Sequence, residues 1–179
     1  MKFSPSIVQT RISTGLGDMV LAATDQGLAG TWFTDQRHRP EALDFKNVPH
    51  SWPRDDQHPV LLKTARQLAE YFAGRREDFD LTYDLSGGTA FQQAVWRVLL
   101  AIPFGQSIAY GHVAQQIGNP AAVRAVGAAV GRNPIGIIVP CHRVIGADGS
   151  LTGYAGGLHR KIALLKLEGT RAVKEFALL

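Results

Sequence analysis

None of these 179 residues lies in an apolar run near the roughly 18 side chains that a membrane helix needs, and 45 % apolar with 19 % charged is an ordinary globular balance. The single cysteine excludes an internal disulfide and a multi-thiol zinc cluster, and it suits a reducing compartment. The +4 charge is uneven: residues 1–87 hold 10 Lys+Arg and 12 Asp+Glu, while residues 88–179 hold 9 and 3, so the second half suits a polyanion or is plain solvated surface.

Met1-Lys2-Phe3-Ser4-Pro5 lacks the apolar core of a secretory leader, so a cytoplasmic location is expected. Ile7 to Ile12, Met19 to Ala23 and Leu28 to Phe33 are separated by turns at Gly15-Leu16-Gly17 and Asp25-Gln26-Gly27, which predicts two or three antiparallel strands. Residues 34–59, with Pro40, Pro49, Pro53 and Pro59, read as a long polar loop. Its His38, His50 and His58 are too scattered to be read as metal ligands. Val60, Leu61, Leu62, Ala65, Leu68, Ala69 and Phe72 have helical spacing, ending at Gly74. Phe79 to Leu85 reads as a further strand. Ser86-Gly87-Gly88 is the best linker, and the charge balance changes there. The expected domains are therefore 1–87, built on an antiparallel sheet, and 88–179, mainly helical, giving an α/β (α+β) chain.

Thr89 and Gln92 carry the spacing of a capping box. Phe91, Val95, Val98, Leu99 and Ile102 mark one face of the helix that follows, which stops at Pro103, and Trp96 is read as core. Val113, Ala114 and Ile117 mark a short helix broken by Gly118. Asn119-Pro120 reads as the N-cap and first turn of the next, with Val123, Val126 and Val130 inward and Gly131 at its end. The pair has the pattern of a helix-turn-helix. The outer positions of the second helix are Ala121, Ala122, Ala125, Gly127, Ala128 and Ala129, with one long cation, Arg124. A helix is about 10–12 Å across and the minor groove of DNA only about 6 Å wide, so small side chains make the slimmest probe for that groove. Arg124 would then point at the base stack. A buried alanine-rich helix with Arg124 at the surface fits the same letters.

The lone cysteine sits in Ile137-Ile138-Val139-Pro140-Cys141-His142-Arg143-Val144. A thiol with an ordinary pKa near 8.5 is only about 3 % ionised at pH 7, so a working nucleophile needs a base and an electropositive setting. His142 and Arg143 are at hand for this, whereas a thiol that only fills a core needs neither. Gly146 to Ser150 reads as a turn, and Leu151 to Gly157 surrounds Tyr154 with small residues, as in a backbone-lined pocket wall. Leu158 to Leu167 reads as a helix with Ile162, Leu164 and Leu165 inward and Lys161 and Lys166 outward, closed by Glu168 and Gly169. A carboxylate at a helix C-terminus opposes the dipole and needs solvent or a partner. His142 is the candidate partner, which would give a Glu–His–Cys relay.

Pro140-Cys141-His142-Arg143-Val144 resembles the active-site signature of the O6-alkylguanine-DNA alkyltransferases. The resemblance runs from about Gly88 to Gly169, through Phe91-Gln92, Tyr110, Arg124-Ala125-Val126-Gly127, Asn133-Pro134, Tyr154 and Gly156-Gly157, to Glu168-Gly169, in matching order and spacing. The N-terminal part resembles, more loosely, the family's small α/β domain with its ribonuclease H-like sheet. The resemblance implies that Cys141 is the alkyl acceptor, that His142 is its base through a bound water, and that Glu168 orients His142. It implies that Asn133 braces the active-site turn and that Tyr110 helps protonate the departing guanine at N3. The carbonyls of Cys141 and Val144 would accept the guanine amino group and the Ala155 N–H would reach O6. Pro140, Tyr154 and Gly156 would line the pocket. Arg124 would fill the space left by the flipped nucleotide, on a helix that presents Ala121, Ala122, Ala125, Gly127 and Ala128 to DNA. Ala155 stands where some relatives have serine, which leaves the backbone role intact and enlarges the pocket. The zinc-binding cysteines of some relatives are absent, so neither metal nor cofactor is expected.

The implied chemistry is an in-line displacement by thiolate on the alkyl carbon of O6-alkylguanine, with O4-alkylthymine as a further substrate, in double-stranded DNA. A departing guanine needs a proton or strong hydrogen bonds. The thioether product gives water no easy route back, so each polypeptide should act once. The expected protein is a monomer; cooperative assembly on DNA stays open. Two other classes remain in view: a lesion sensor that binds without reacting, and a cysteine hydrolase that turns over many times.

Overall fold

The computed structural model describes residues 1–43 and 51–170. Pro49 and His50 of the expected loop lie outside the described residues. The chain divides into two compact units, Met1–Gly88 and Thr89–Leu179.

The first unit is an antiparallel meander of β1 (Val8–Thr14), β2 (Gly17–Thr24) and β3 (Gly27–Phe33), with α1 (Pro59–Phe72) packed against it. Val8 faces Ala23 and Thr14 faces Gly17 across the first pairing, while a bulge at Ala22/Ala23 interrupts the second. Every residue of β3 is buried. Glycine is required at Gly30, because a Cβ there would fall within 1.7 Å of the Trp32 indole, which lies over it. Trp32 joins Ile7, Val20, Ala22, Ala29 and Leu43 in the core, and Phe3 and Trp52 pack on them. Helix α1 places Leu61, Leu68 and Tyr71 on its buried side and stops before Gly74, whose φ is 68°.

Residues 79–85 do not form the expected strand. Only Tyr83 bridges to Leu28, through bonds from Leu28 N to the Thr82 carbonyl and from Asp84 N to the Leu28 carbonyl. The Asp84 carboxylate accepts from the hydroxyls of Thr24 and Ser86 and from Ser86 N, and these local bonds end the ladder there. An equivalent single bridge, Gln9 to Arg54, ties the described end of the polar loop to β1.

The second unit opens with α2 (Ala90–Leu100). Its capping box is complete, with Thr89 Oγ1 accepting from Gln92 N and Gln92 Oε1 accepting from Thr89 N. Such a cap contributes about 1 kcal/mol. Val95, Trp96 and Leu99 are fully buried, and Trp96 Nε1 donates to the Ala129 carbonyl at 2.9 Å. That bond ties α2 to α4 (Val123–Gly131), which also packs on α3 (Tyr110–Gln116). A turn with Gly118 at φ 74° joins α3 to α4.

Three details of α4 differ from expectation. Its N-cap is Ala122, not Asn119, because residues 119–122 form a separate turn closed by Ala122 N to the Asn119 carbonyl. That offset turns Val123 outward, where it is 40 % exposed. It also turns Ala129 inward, where its methyl is buried and its carbonyl takes the Trp96 bond. Beyond α4 come a short irregular turn, a 3-10 turn at Cys141–Arg143, and β5 (Val144–Ile145), which pairs in parallel with β4 (Ile108–Ala109). Helix α5 (Leu158–Leu167) closes the described chain, and Gly169 follows at φ 65°.

Candidate active site

The segment before Cys141 is held in a tight, irregular path. Ile137 has a φ of 70°, in the left-handed region that β-branched residues avoid. Asn133 stabilises that path from inside: its Nδ2 donates to the Val139 carbonyl at 2.7 Å and its Oδ1 accepts from Ile135 N at 3.0 Å. Pro140 is buried at the head of the 3-10 turn, and its carbonyl accepts from Arg143 N. Cys141 is thus presented on a turn rather than in a strand, with 8 % of its surface accessible.

Burial pushes the Cys141 thiol up and outweighs the hydrogen bond with Asn133 and the charge of Lys161, which pull it down. His142 is wholly buried, and Nε2 lies 2.8 Å from Glu168 Oε1. Burial holds the imidazole below its ordinary 6.5 and outweighs Glu168, so His142 is neutral at pH 7. A neutral ring that donates Nε2–H to Glu168 leaves a lone pair on Nδ1, and Nδ1 has no hydrogen-bond partner among the described residues.

Arg143 does something other than attend the thiol. Its Nε donates to Glu168 Oε2 and its Nη2 to Oε1, both at 2.9 Å, and Nη1 donates to the Ile102 carbonyl. Its charge is spent in a buried fork on Glu168. Burial raises the Glu168 carboxyl, but the bonds from His142 and Arg143 outweigh it and bring it to about 2. Glu168 therefore stays ionised despite its place at the end of α5.

Of the residues expected to act around the substrate base, Tyr110 and Tyr154 lie within electrostatic reach of Cys141. Tyr154 is buried, and burial together with the nearby Cys141 thiolate pushes its phenol well above 10. Gly156 is buried and its carbonyl accepts from Arg160 Nη1; Ala155 is half-buried. The carbonyls of Cys141 and Val144 each already accept one bond, from Val144 N and Lys161 Nζ respectively. Each carbonyl has a second lone pair to offer. Tyr110 begins α3, and its hydroxyl lies 3.5 Å from the Thr152 carbonyl. Burial keeps that phenol above 10, so it is a proton donor at neutral pH.

Arg124 stands apart from this group. It is exposed at the start of α4 and makes no hydrogen bond or ion pair among the described residues. Ala121, Ala125 and Ala128 are exposed with it, and Ala122 and Gly127 are half-buried, so that face carries small side chains around one free cation.

Lys161 is the largest departure from the sequence reading. It was expected outward, yet its side chain is fully buried, and Nζ donates to the carbonyls of Val144 at 2.6 Å and Thr152 at 2.9 Å. The signal was present: Lys161, Leu164, Leu165 and Glu168 follow i, i+3, i+4, i+7 and define one inward face. Ile162, expected inward, is only half-buried.

Two family models match the chain. One described as 6-O-methylguanine DNA methyltransferase, DNA binding domain, covers residues 90–170, and one described as the ribonuclease-like domain of the same protein covers residues 7–85. A methylated-DNA–protein-cysteine methyltransferase of Salmonella typhimurium is 58 % identical over 91 % of this chain and 96 % of its own. The protein of that name from Mycobacterium tuberculosis is 45 % identical over 93 % and 95 %. Among solved structures, the O6-methylguanine methyltransferase of Mycobacterium tuberculosis superposes with a TM-score of 0.79 at 44 % identity, over 96 % of this chain and 98 % of that one. OGT of the same organism, solved in complex with DNA, gives 0.79 at 43 %, over 94 % and 99 %.

Proposed function

The chain belongs to the O6-methylguanine DNA methyltransferase family, and from that premise we propose that it repairs DNA by moving the alkyl group of O6-alkylguanine, and of O4-alkylthymine, onto Cys141, once per polypeptide. The observation that carries this reading is the Cys141 turn itself. A buried thiol with 8 % of its surface accessible is followed at once by a buried neutral imidazole whose Nε2 is fixed on an ionised Glu168.

In this mechanism the His142 Nδ1 lone pair takes the thiol proton through a water. The thiolate attacks the alkyl carbon, the sulfur–carbon bond forms, and the bond from that carbon to O6 breaks. The electron pair passes into the guanine ring system, and Tyr110 supplies the proton at N3. The carbonyls of Cys141 and Val144 hold the exocyclic amine, and Ala155 N–H meets O6 as charge develops there. Glu168 orients His142 and offsets the imidazolium that forms, while Asn133 keeps the turn in shape. Pro140, Tyr154 and Gly156 enclose the base.

Reaching that pocket requires the nucleotide to leave the duplex, at a cost of a few kcal/mol. The small-residue face of α4 would lie in the minor groove, with Arg124 in the gap left behind. Phosphate contacts from the basic second unit would offset the cost and make binding weaken as salt rises. The protein would act as a monomer in a reducing compartment such as the cytoplasm, where Cys141 stays a thiol. Peptide mass spectrometry after incubation with methylated duplex tests the reading, since the Cys141 peptide should gain one methylene.

A further inference from the structure

An ammonium buried to the depth of Lys161 normally needs a carboxylate. None pairs with it among the described residues: Glu168 is gripped by His142 and Arg143, and two of the three Lys161 N–H groups go to the neutral carbonyls of Val144 and Thr152. The group within its field that can become an anion is the Cys141 thiol, three residues before the Val144 carbonyl that Lys161 Nζ grips at 2.6 Å, and the influence is mutual. The other groups that sequence pattern offers for this task are occupied, because His142 is neutral and the Arg143 charge is spent on Glu168.

We propose that Lys161 is the counter-ion of the Cys141 thiolate and, through its two carbonyl bonds, the positioning residue that fixes the Thr152–Tyr154 wall against the nucleophile's turn. This rests on reading Cys141 as the alkyl acceptor. When sulfur takes the alkyl carbon it becomes a neutral thioether; the thiol proton has already passed to His142, and the Lys161 ammonium keeps its own protons but loses its anion. Burial already draws that ammonium from 10.5 to about 8, with the thiolate opposing the fall. The titratable and charged groups around it are Cys141, His142 and Arg143 on the 3-10 turn, Tyr110 on α3, Tyr154 and Arg160 at the pocket wall, and Glu168 at the end of α5.

The first test measures single-turnover transfer from methylated duplex between pH 6 and pH 10 for the wild type, Lys161→Met and Lys161→Arg. Losing the counter-ion should raise the thiol pKa. A two-unit rise slows transfer about tenfold at pH 7, because greater nucleophilicity returns part of the lost thiolate fraction. The gap should close above pH 9, where the wild-type Lys161 ammonium, drawn down to about 8, has itself lost its charge, and Lys161→Arg should stay near the wild type below that pH. A deficit that is the same factor at every pH, or no deficit, overturns the proposal.

Lys161→Met can fail to fold, so a second measurement uses native lysine. With 13C-labelled lysine, the Lys161 ε-carbon titration is compared in the wild type and Cys141→Ser. A lower midpoint in Cys141→Ser supports the counter-ion, and an unchanged midpoint overturns it. Absence of transfer by the wild type would instead defeat the reading of function, and the lysine titration would still decide the pairing.

Discussion

Arg143 and Glu168 form a two-pronged ion pair, with both side chains almost wholly buried and His142 bound to the same carboxylate. One acid therefore neutralises the cation that sequence pattern assigns to the thiol and also fixes the imidazole's tautomer. Removing one partner of such a pair leaves a buried charge unanswered. Glu168→Ala should cost about 3–5 kcal/mol in urea unfolding, and Glu168→Gln should keep more stability than transfer rate.

The same cluster sets an acid limit. Both groups have folded-state pKa values below their ordinary ones, so the unfolded chain binds more protons in acid. The stability they contribute is complete above about pH 6.5. It declines first as pH falls below 6.5, through His142, and again between 4.5 and about 2, through Glu168. Thermal midpoints recorded from pH 7 to pH 3 should fall in that order, and Glu168→Gln should flatten the lower step.

Asn133 bonds to the backbone on both sides of the left-handed Ile137. Asn133→Ala should destabilise the protein by about 1–3 kcal/mol, since Ile135 N–H is left buried and unsatisfied and the Val139 carbonyl keeps only its bond from Cys141 N. Transfer should slow even at temperatures where the variant is fully folded, as judged by circular dichroism.

Arg124 is exposed and makes no hydrogen bond or ion pair among the described residues, so Arg124→Ala should leave stability within about 0.5 kcal/mol of the wild type. It should slow repair of duplex DNA far more than reaction with a free O6-alkylguanine base. Equal losses on both substrates would remove its role in extruding the nucleotide.

Much of this was legible in the sequence, for identifiable reasons. The three strands of the sheet, α1, the Thr89 cap and α5 announce themselves through period and punctuation, because local chemistry fixes them. Phe79 to Leu85 has strand letters but not strand pairing, since the bonds made by Asp84 compete with the ladder. The true start of α4 was hidden because Asn119-Pro120 is as good a turn as it is a cap. Lys161 is buried against the rule of thumb that sends lysine to solvent, and its helical spacing with Glu168 marks that inward face. The Arg143–Glu168 pair joins residues 25 apart, and no local pattern reports such a meeting.

Titrating the protein with duplex DNA of known O6-methylguanine content tests the central claim most directly. The account predicts a plateau at one methyl group per polypeptide, all of it on the Cys141 peptide, and none for Cys141→Ser although that variant still binds DNA. Continued removal of methyl groups beyond that plateau, or stoichiometric transfer by Cys141→Ser, would contradict it.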